Sequence, residues 1–328
     1  MNRKRIAAIV IALFMLAATL SGCNQTGKPL DGESKMRVVC TIFPPYDWVR
    51  QILGDTAGDM DLTLLLENKA DLHSYQPTVD DIAKVATCDL FIYVGGESDE
   101  WVEDALKEAT NQKMIVINLL KELGDAAKVE EVKEGMEGEE EGEEEGEECE
   151  AYDEHVWLSL KNAIVFCPTI ADALSSLDAD NADTYRANLT AYLDKLSTLD
   201  AEYQAAVNAA SAKTLLFGDR FPFRYLVDDY GLDYHAAFVG CSAETEASFD
   251  TIVYLVEKVN ELNLQNIMVT ESSDKKIAEK IISESRDKSQ RILVMNALQS
   301  VTGSDMENGA TYLSVMEGNL GVLKDALK

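Results

Sequence analysis

With 328 residues, the chain is long enough for two medium lobes or one large domain, and its 46% hydrophobic and 27% charged composition is that of an ordinary globular protein. The formal net charge of −30 is not ordinary. It argues against nucleic acid and anionic lipid headgroups as partners of the folded surface and favours cations.

The first residues read as an export signal. Arg3, Lys4 and Arg5 form a positive start, and the apolar stretch "IAAIVIALFMLAATL" that follows is shorter than the roughly 20 residues that span a bilayer. It closes on "LSGC", where small residues before Cys23 resemble a bacterial lipobox, so residues 1–23 are expected to be a lipoprotein signal with Cys23 as the lipidated residue. Residues 24–35, "NQTGKPLDGESK", have the composition of a flexible tether. Cys40, Cys88, Cys149, Cys167 and Cys241 remain; they are odd in number and lack CxxC spacing, so their disulfide state stays open.

From Met36 onward, short apolar runs alternate with amphipathic stretches. "MRVVCTIF", "MDLTLLL", "DLFIYVG" and "KMIVINLL" read as strands, and "PYDWVRQILGD", "TVDDIAKVA" and "SDEWVEDALKEA" as helices between them. Thr78 with Asp81 three positions on predicts a capping box. This alternation predicts a parallel sheet wrapped by helices, and residues 36–180 form the N-terminal α/β lobe. Within it, the glutamate run from Glu134 to Glu150 has no apolar face and predicts a disordered acidic loop over about residues 130–152.

"KNAIVFCPTIADALSSL" reads as a helix, and residues 181–212 follow as a linking helix. Tyr185, Leu189, Tyr192, Leu193, Leu196, Leu199 and Tyr203 give it one apolar stripe. Strand–helix alternation then restarts through "TLLFG", "YHAAFVG", "NIMVTE" and "RILVMNAL", making residues 213–328 a C-terminal α/β lobe. The predicted fold is therefore two doubly wound parallel-sheet lobes joined by one long helix. A cleft is expected between their strand C-terminal ends, where open α/β sheets bind ligands.

The chain has three histidines. His73 lies in a loop between a strand and a helix of the first lobe, and His155 opens the segment after the acidic run. Imidazole is a common ligand for zinc and other divalent metals, so the pair is a candidate half-site. His235 sits inside a predicted strand, which favours a packed or surface role. No GxSxG elbow or HExxH motif supports an exported hydrolase.

"VVCTIFPPYDWVRQILGD", "DLHSYQPTVDDIAKVATCDLFIYVGGESDEWVEDAL" and "DEHVWLSLKNAIVFCPTIADAL" resemble the substrate-binding lipoproteins of bacterial zinc and manganese ABC transporters, the zinc-uptake type of the cluster A-I solute-binding family. The resemblance runs over almost the whole mature chain. It implies a monomer, not an enzyme, lipid-anchored to the outer face of the bacterial cytoplasmic membrane, with a rigid linking helix and a metal between the lobes. The protein would take up Zn2+, with Mn2+ as the alternative, and hand it to an ABC permease and its ATPase.

The resemblance implies His73 and His155 as the first-lobe ligands, and it makes the glutamate run a local concentrator of cations. In the second lobe the pattern departs. The position of the family's third histidine falls on Arg220, which cannot ligate a metal. Asp219 and Glu271 are then the candidate carboxylate ligands, with Arg220 and Gln299 as further cleft residues. The altered cleft keeps open a paralogue that binds a metal chelate or serves as a metal sensor or adhesin.

Overall fold

The computed structural model describes residues 35–67, 72–138, 151–242 and 246–328. The expected export signal, Cys23, the expected tether up to Ser34, Cys149 and the glutamates of 139–150 lie outside the described residues.

The first lobe is built from β1 (Arg37–Cys40), α1 (Phe43–Leu53), β2 (Asp61–Leu64), α2 (Val79–Thr87), β3 (Leu90–Tyr93), α3 (Trp101–Lys107), β4 (Ile115–Asn118) and the short α4 (Leu119–Leu123). Its sheet is wholly parallel in the order β2-β1-β3-β4. Val38, Val39 and Cys40 of β1 and all four residues of β3 are buried, as central strands covered on both faces must be. At the start of α2 the capping box forms as predicted: the Asp81 N–H donates to Thr78 Oγ1, and the Thr78 N–H donates to Asp81 Oδ2 at 3.0 Å.

The second lobe repeats the scheme. β5 (Thr214–Phe221), α7 (Arg224–Tyr230), β6 (Asp233–Val239), α8 (Phe249–Leu262), β7 (Asn266–Thr270), α9 (Lys276–Glu284) and β8 (Arg291–Met295) give a parallel sheet in the order β6-β5-β7-β8. The chain closes with α10 (Gly303–Glu307) and α11 (Tyr312–Ala326). Both sheets follow one pattern: the first crossover leads to an edge strand, and the second returns past the starting strand. That reversal opens a crevice at the C-terminal strand ends of each sheet.

α5 (Leu160–Leu177) completes the first lobe, and α6 (Ala182–Ala209) runs on to the second. The 28 residues of α6 span about 42 Å at 1.5 Å per residue. Tyr185, Tyr192, Leu196, Leu199, Tyr203 and Val207 form its buried stripe, and Leu189 and Leu193 pack at its margin. Through that stripe α6 packs against α1 and α5 of the first lobe and α11 of the second.

Buried polar contacts join the lobes. Asp47 Oδ2 on α1 accepts from the Tyr312 N–H at 2.9 Å, the Tyr312 hydroxyl donates to the Trp157 carbonyl at 2.8 Å, and Trp157 Nε1 donates to the Ala297 carbonyl at 2.9 Å. Tyr312 also meets the edge of Trp48.

Residues 130–138 depart from the expected disordered loop. Their charged side chains find partners on the second lobe: Glu131 accepts from the Tyr234 hydroxyl and pairs with Arg224, and Lys133 pairs with Asp233. Glu137 pairs with the outer side of β6, its N–H donating to the Ala237 carbonyl at 2.9 Å and its carbonyl accepting from Val239. A lysine and an apolar Met136 within this stretch supply what the pure glutamates beyond it lack.

Asp47 is fully buried, and burial raises its carboxyl, against its bonds to Tyr312 and Gln51. Asp47→Ala leaves the Tyr312 N–H without an acceptor and should lower unfolding free energy by about 1–3 kcal/mol. Urea denaturation checks this, with Asp47→Asn, which keeps an acceptor, expected to lose less.

Candidate metal centre

His73 and His155 meet at the inner edge of the first lobe. His73 sits on a tight turn, Leu72–Ser74, after β2, and His155 caps the turn Val156–Leu158 that leads into α5. Their Nε2 atoms are 3.1 Å apart. A tetrahedral ion with Zn–N bonds near 2.0 Å would space two nitrogens about 3.3 Å apart.

Each ring is oriented from behind. Asp153, two residues before His155, accepts from its backbone N–H at 2.8 Å and lies 3.0 Å from its Nδ1. A proton on Nδ1 satisfies that carboxylate and leaves the Nε2 lone pair aimed at His73. His73 Nδ1 is 2.9 Å from Ser98 Oγ and 3.4 Å from Glu154 Oε2. Two lone pairs at this separation repel unless a proton or a cation lies between them.

The acidic support is itself held by backbone. Glu154 Oε1 accepts from the Ser98 N–H at 2.8 Å. Gly96 lets the loop after β3 approach so closely: its φ is +83°, and a Cβ there would lie 2.4 Å from Glu154 Oε1. Burial pushes the Glu154 carboxyl up, but the His73 interaction and the Ser98 bonds outweigh it and hold the group below the usual range. Asp99 Oδ2 accepts from the Val94 and Gly95 N–H groups at 2.9 Å each.

The second lobe contributes two side chains. Gln299, after β8, brings its amide nitrogen to 3.3 Å from His73 Nε2 and 3.2 Å from His155 Nε2. Turning the amide over presents its oxygen instead. The preceding Leu298 is a buried leucine with φ +62°, a conformation that costs about 1–2 kcal/mol. Its N–H donates to Asn296 Oδ1, and Asn296 is bonded at both backbone groups to Asn319.

Cys241 is the other. One ligand atom each from His73, His155 and Cys241 lies within 4.8 Å of the others, and this is the group found among the described residues. The β6–α8 loop reaches the imidazole because residue 240 is glycine: a Cβ there would stand 2.8 Å from His155 Cε1. Burial first, then the Glu130, Asp153 and Glu154 carboxylates, push the Cys241 thiol far above the ordinary range.

The expected carboxylate ligands, Asp219 and Glu271, are not in that cluster and accept hydrogen bonds from neighbouring segments. Asp219 Oδ2 accepts from the Thr270 N–H at 2.8 Å and hydroxyl at 2.7 Å, and Oδ1 accepts from the Arg220 N–H. Glu271 accepts from Ala297, Gln299 and Ser300. Asp219 thus ties β5 to β7, and Glu271 shapes the turn that presents Gln299. Arg220 donates to the Ser242 carbonyl at 3.3 Å. His235 lies on β6 against the Tyr254 hydroxyl, away from the cluster.

A two-lobed α/β frame converges two oriented imidazoles on one point, an arrangement suited to a divalent metal. A family model described as "Zinc-uptake complex component A periplasmic", ZnuA, matches residues 38–326, and the chain belongs to that family. The zinc-binding lipoprotein AdcA of Streptococcus pneumoniae is 33% identical over 323 residues, covering 97% of this chain and 60% of AdcA. The chain therefore spans about three fifths of the AdcA relatives. ZnuA of Bacillus subtilis, named a high-affinity zinc uptake system protein, is 31% identical over 97% of this chain and 96% of its own length. The Zn(II)-bound ZnuA-like domain of pneumococcal AdcA superposes with a TM-score of 0.69 at 30% identity, covering 89% of this chain and 99% of that domain.

Burial, reinforced by Glu154, raises the Asp99 carboxyl from 3.8 to about 7 despite two backbone N–H donors. Its contribution to stability is full below 3.8 and is lost as pH rises through about 7. Urea unfolding of metal-free protein across that window should show a loss that Asp99→Asn flattens; parallel pH slopes would contradict it.

Proposed function

We propose that the protein captures a divalent transition metal, zinc foremost and manganese as the alternative, outside the cytoplasm and delivers it to an ABC permease driven by its ATPase. The observation that carries this reading is the pair of Nε2 atoms 3.1 Å apart, each backed at Nδ1 by an acceptor. Such a pair is arranged for a cation. The zinc-binding names of the relatives support the choice of metal. Capture and release involve no bond rearrangement in the cargo, so the role is binding and not catalysis.

In this reading His73 and His155 take the ion as neutral ligands, and Gln299 closes from the second lobe. Asp219 and Glu271, the carboxylates considered from sequence, support the surrounding turns. The surface charge of −30, with the glutamate run ahead of His155, raises the local concentration of cations. Cys23 carries the lipid that holds a monomer at the outer face of the membrane, with residues 24–35 as tether. The buried contacts between lobes oppose a wide hinge motion, so loading and release proceed through loops and small lobe shifts.

Calorimetric titration with zinc and with manganese tests the proposal. One zinc per chain is expected, with affinity falling by more than about 100-fold in His73→Ala, beyond the 10–100-fold typical of losing a supporting group. Weak binding at several sites, unchanged by that substitution, would assign the cations to the glutamates and overturn the reading. Zinc affinity should also fall as pH is lowered, because a protonated imidazole has no lone pair for the metal.

A further inference from the structure

Within the metal-capture reading, on which this inference rests, we infer that Cys241 is the third protein ligand and that the site is a two-imidazole, one-thiolate centre selective for thiophilic divalent ions. The cluster is compact: the sulfur and both imidazole nitrogens lie within 4.8 Å of one another. A tetrahedral zinc with Zn–N near 2.0 Å and Zn–S near 2.3 Å separates N from S by about 3.6 Å, so the three atoms need only draw in by small side-chain adjustments.

The loop is held for this purpose from three sides. Gly240 lies against the His155 ring with no room for a Cβ, so the sulfur-bearing residue follows directly from an imidazole contact. The Cys241 N–H donates to Glu130 Oε1 at 3.3 Å. On its other side, Arg220 donates to the carbonyl of Ser242. Arg220 is thus a positioning residue, holding by its guanidinium the loop that delivers the thiol.

Neither Asp219 nor Glu271 belongs to that cluster of ligand atoms among the described residues. Both oxygens of Asp219 accept hydrogen bonds, and both oxygens of Glu271 accept from the turn at 297–300. Gln299 supplies a neutral amide only. Cys241 therefore provides the anionic donor at the cluster. Its thiol proton is lost to solvent when sulfur bonds the metal, as coordination requires. A thiolate among two imidazoles favours zinc or cadmium and disfavours manganese, which prefers oxygen.

Cobalt(II) serves as the probe, because sulfur bonded to cobalt gives a near-ultraviolet charge-transfer band that nitrogen and oxygen ligands do not. The intact protein should show that band at one equivalent of cobalt. Cys241→Ser should abolish the band, keep visible cobalt absorption, and weaken zinc by more than about 100-fold, beyond the loss of a supporting group. Cys241→Asp keeps an anionic donor and serves as the folded control, confirmed by circular dichroism. Its ratio of cadmium to manganese affinity should drop by at least about tenfold.

A band that survives in Cys241→Ser would overturn the inference. So would cobalt binding that depends on His73 with no charge-transfer band in the unaltered protein, and that result would leave metal capture standing. Absence of any His73-dependent cobalt or zinc binding would overturn both.

Discussion

The bond from Trp157 Nε1 to the Ala297 carbonyl sets the geometry on which the centre depends. Trp157 lies two residues after His155, and Ala297 two residues before Gln299. One buried donor–acceptor pair of 2.9 Å therefore fixes the separation of the first-lobe imidazole from the second-lobe amide. The Trp157 carbonyl is in turn bound by Tyr312, whose N–H is bound by Asp47. The net value of each bond is about 1 kcal/mol, but leaving one partner unpaired in the interior costs more. The register between lobes is thus enforced by the penalty for breaking it, and α6 and α11 supply the apolar burial that keeps water away.

Around that fixed frame the charges are arranged to favour a cation and little else. Asp153 and Glu154 stand behind the two rings, and Asp99, next to Ser98 in the chain, accepts from the Val94 and Gly95 N–H groups. Burial makes negative charge costly at Asp99, and its two backbone N–H donors offset part of that cost. A metal between the Nε2 atoms would compensate the remainder, because in a low-dielectric site the attraction between ion and carboxylate is stronger than in water. The left-handed Leu298 belongs to the same arrangement. Its strain is held by Asn296, Asn319 and Glu271 together, a density of bonds found where a loop must present one side chain.

Much of this frame was legible in the residues. The eight strands announce themselves as apolar runs, the α6 stripe recurs at helical spacing, and Thr78 with Asp81 marks a helix start by local chemistry alone. His73 and His155 stood out because imidazoles are scarce here. What stayed hidden depends on contacts between distant segments. Glu271 and Asp219 look like free carboxylates at strand ends until the turns at 297–300 and 270 offer them N–H donors. Cys241 reads as an ordinary thiol, although the glycine before it was a local sign of close approach. The short helices α4 and α10 carry too few residues to show a period. The repeated sheet order left no trace in residue identity, because a parallel strand needs only apolar character to be buried.

The stretch from Glu130 to Gly138 has a consequence unrelated to metal. β6 is an outer strand of the second sheet, and an outer strand offers unpaired N–H and carbonyl groups to any extended chain. Glu137 bonds to Ala237 and Val239 there and occupies part of that edge from within the same molecule. The segment that packs against the second lobe thereby also withholds part of an exposed sheet edge from any other extended chain.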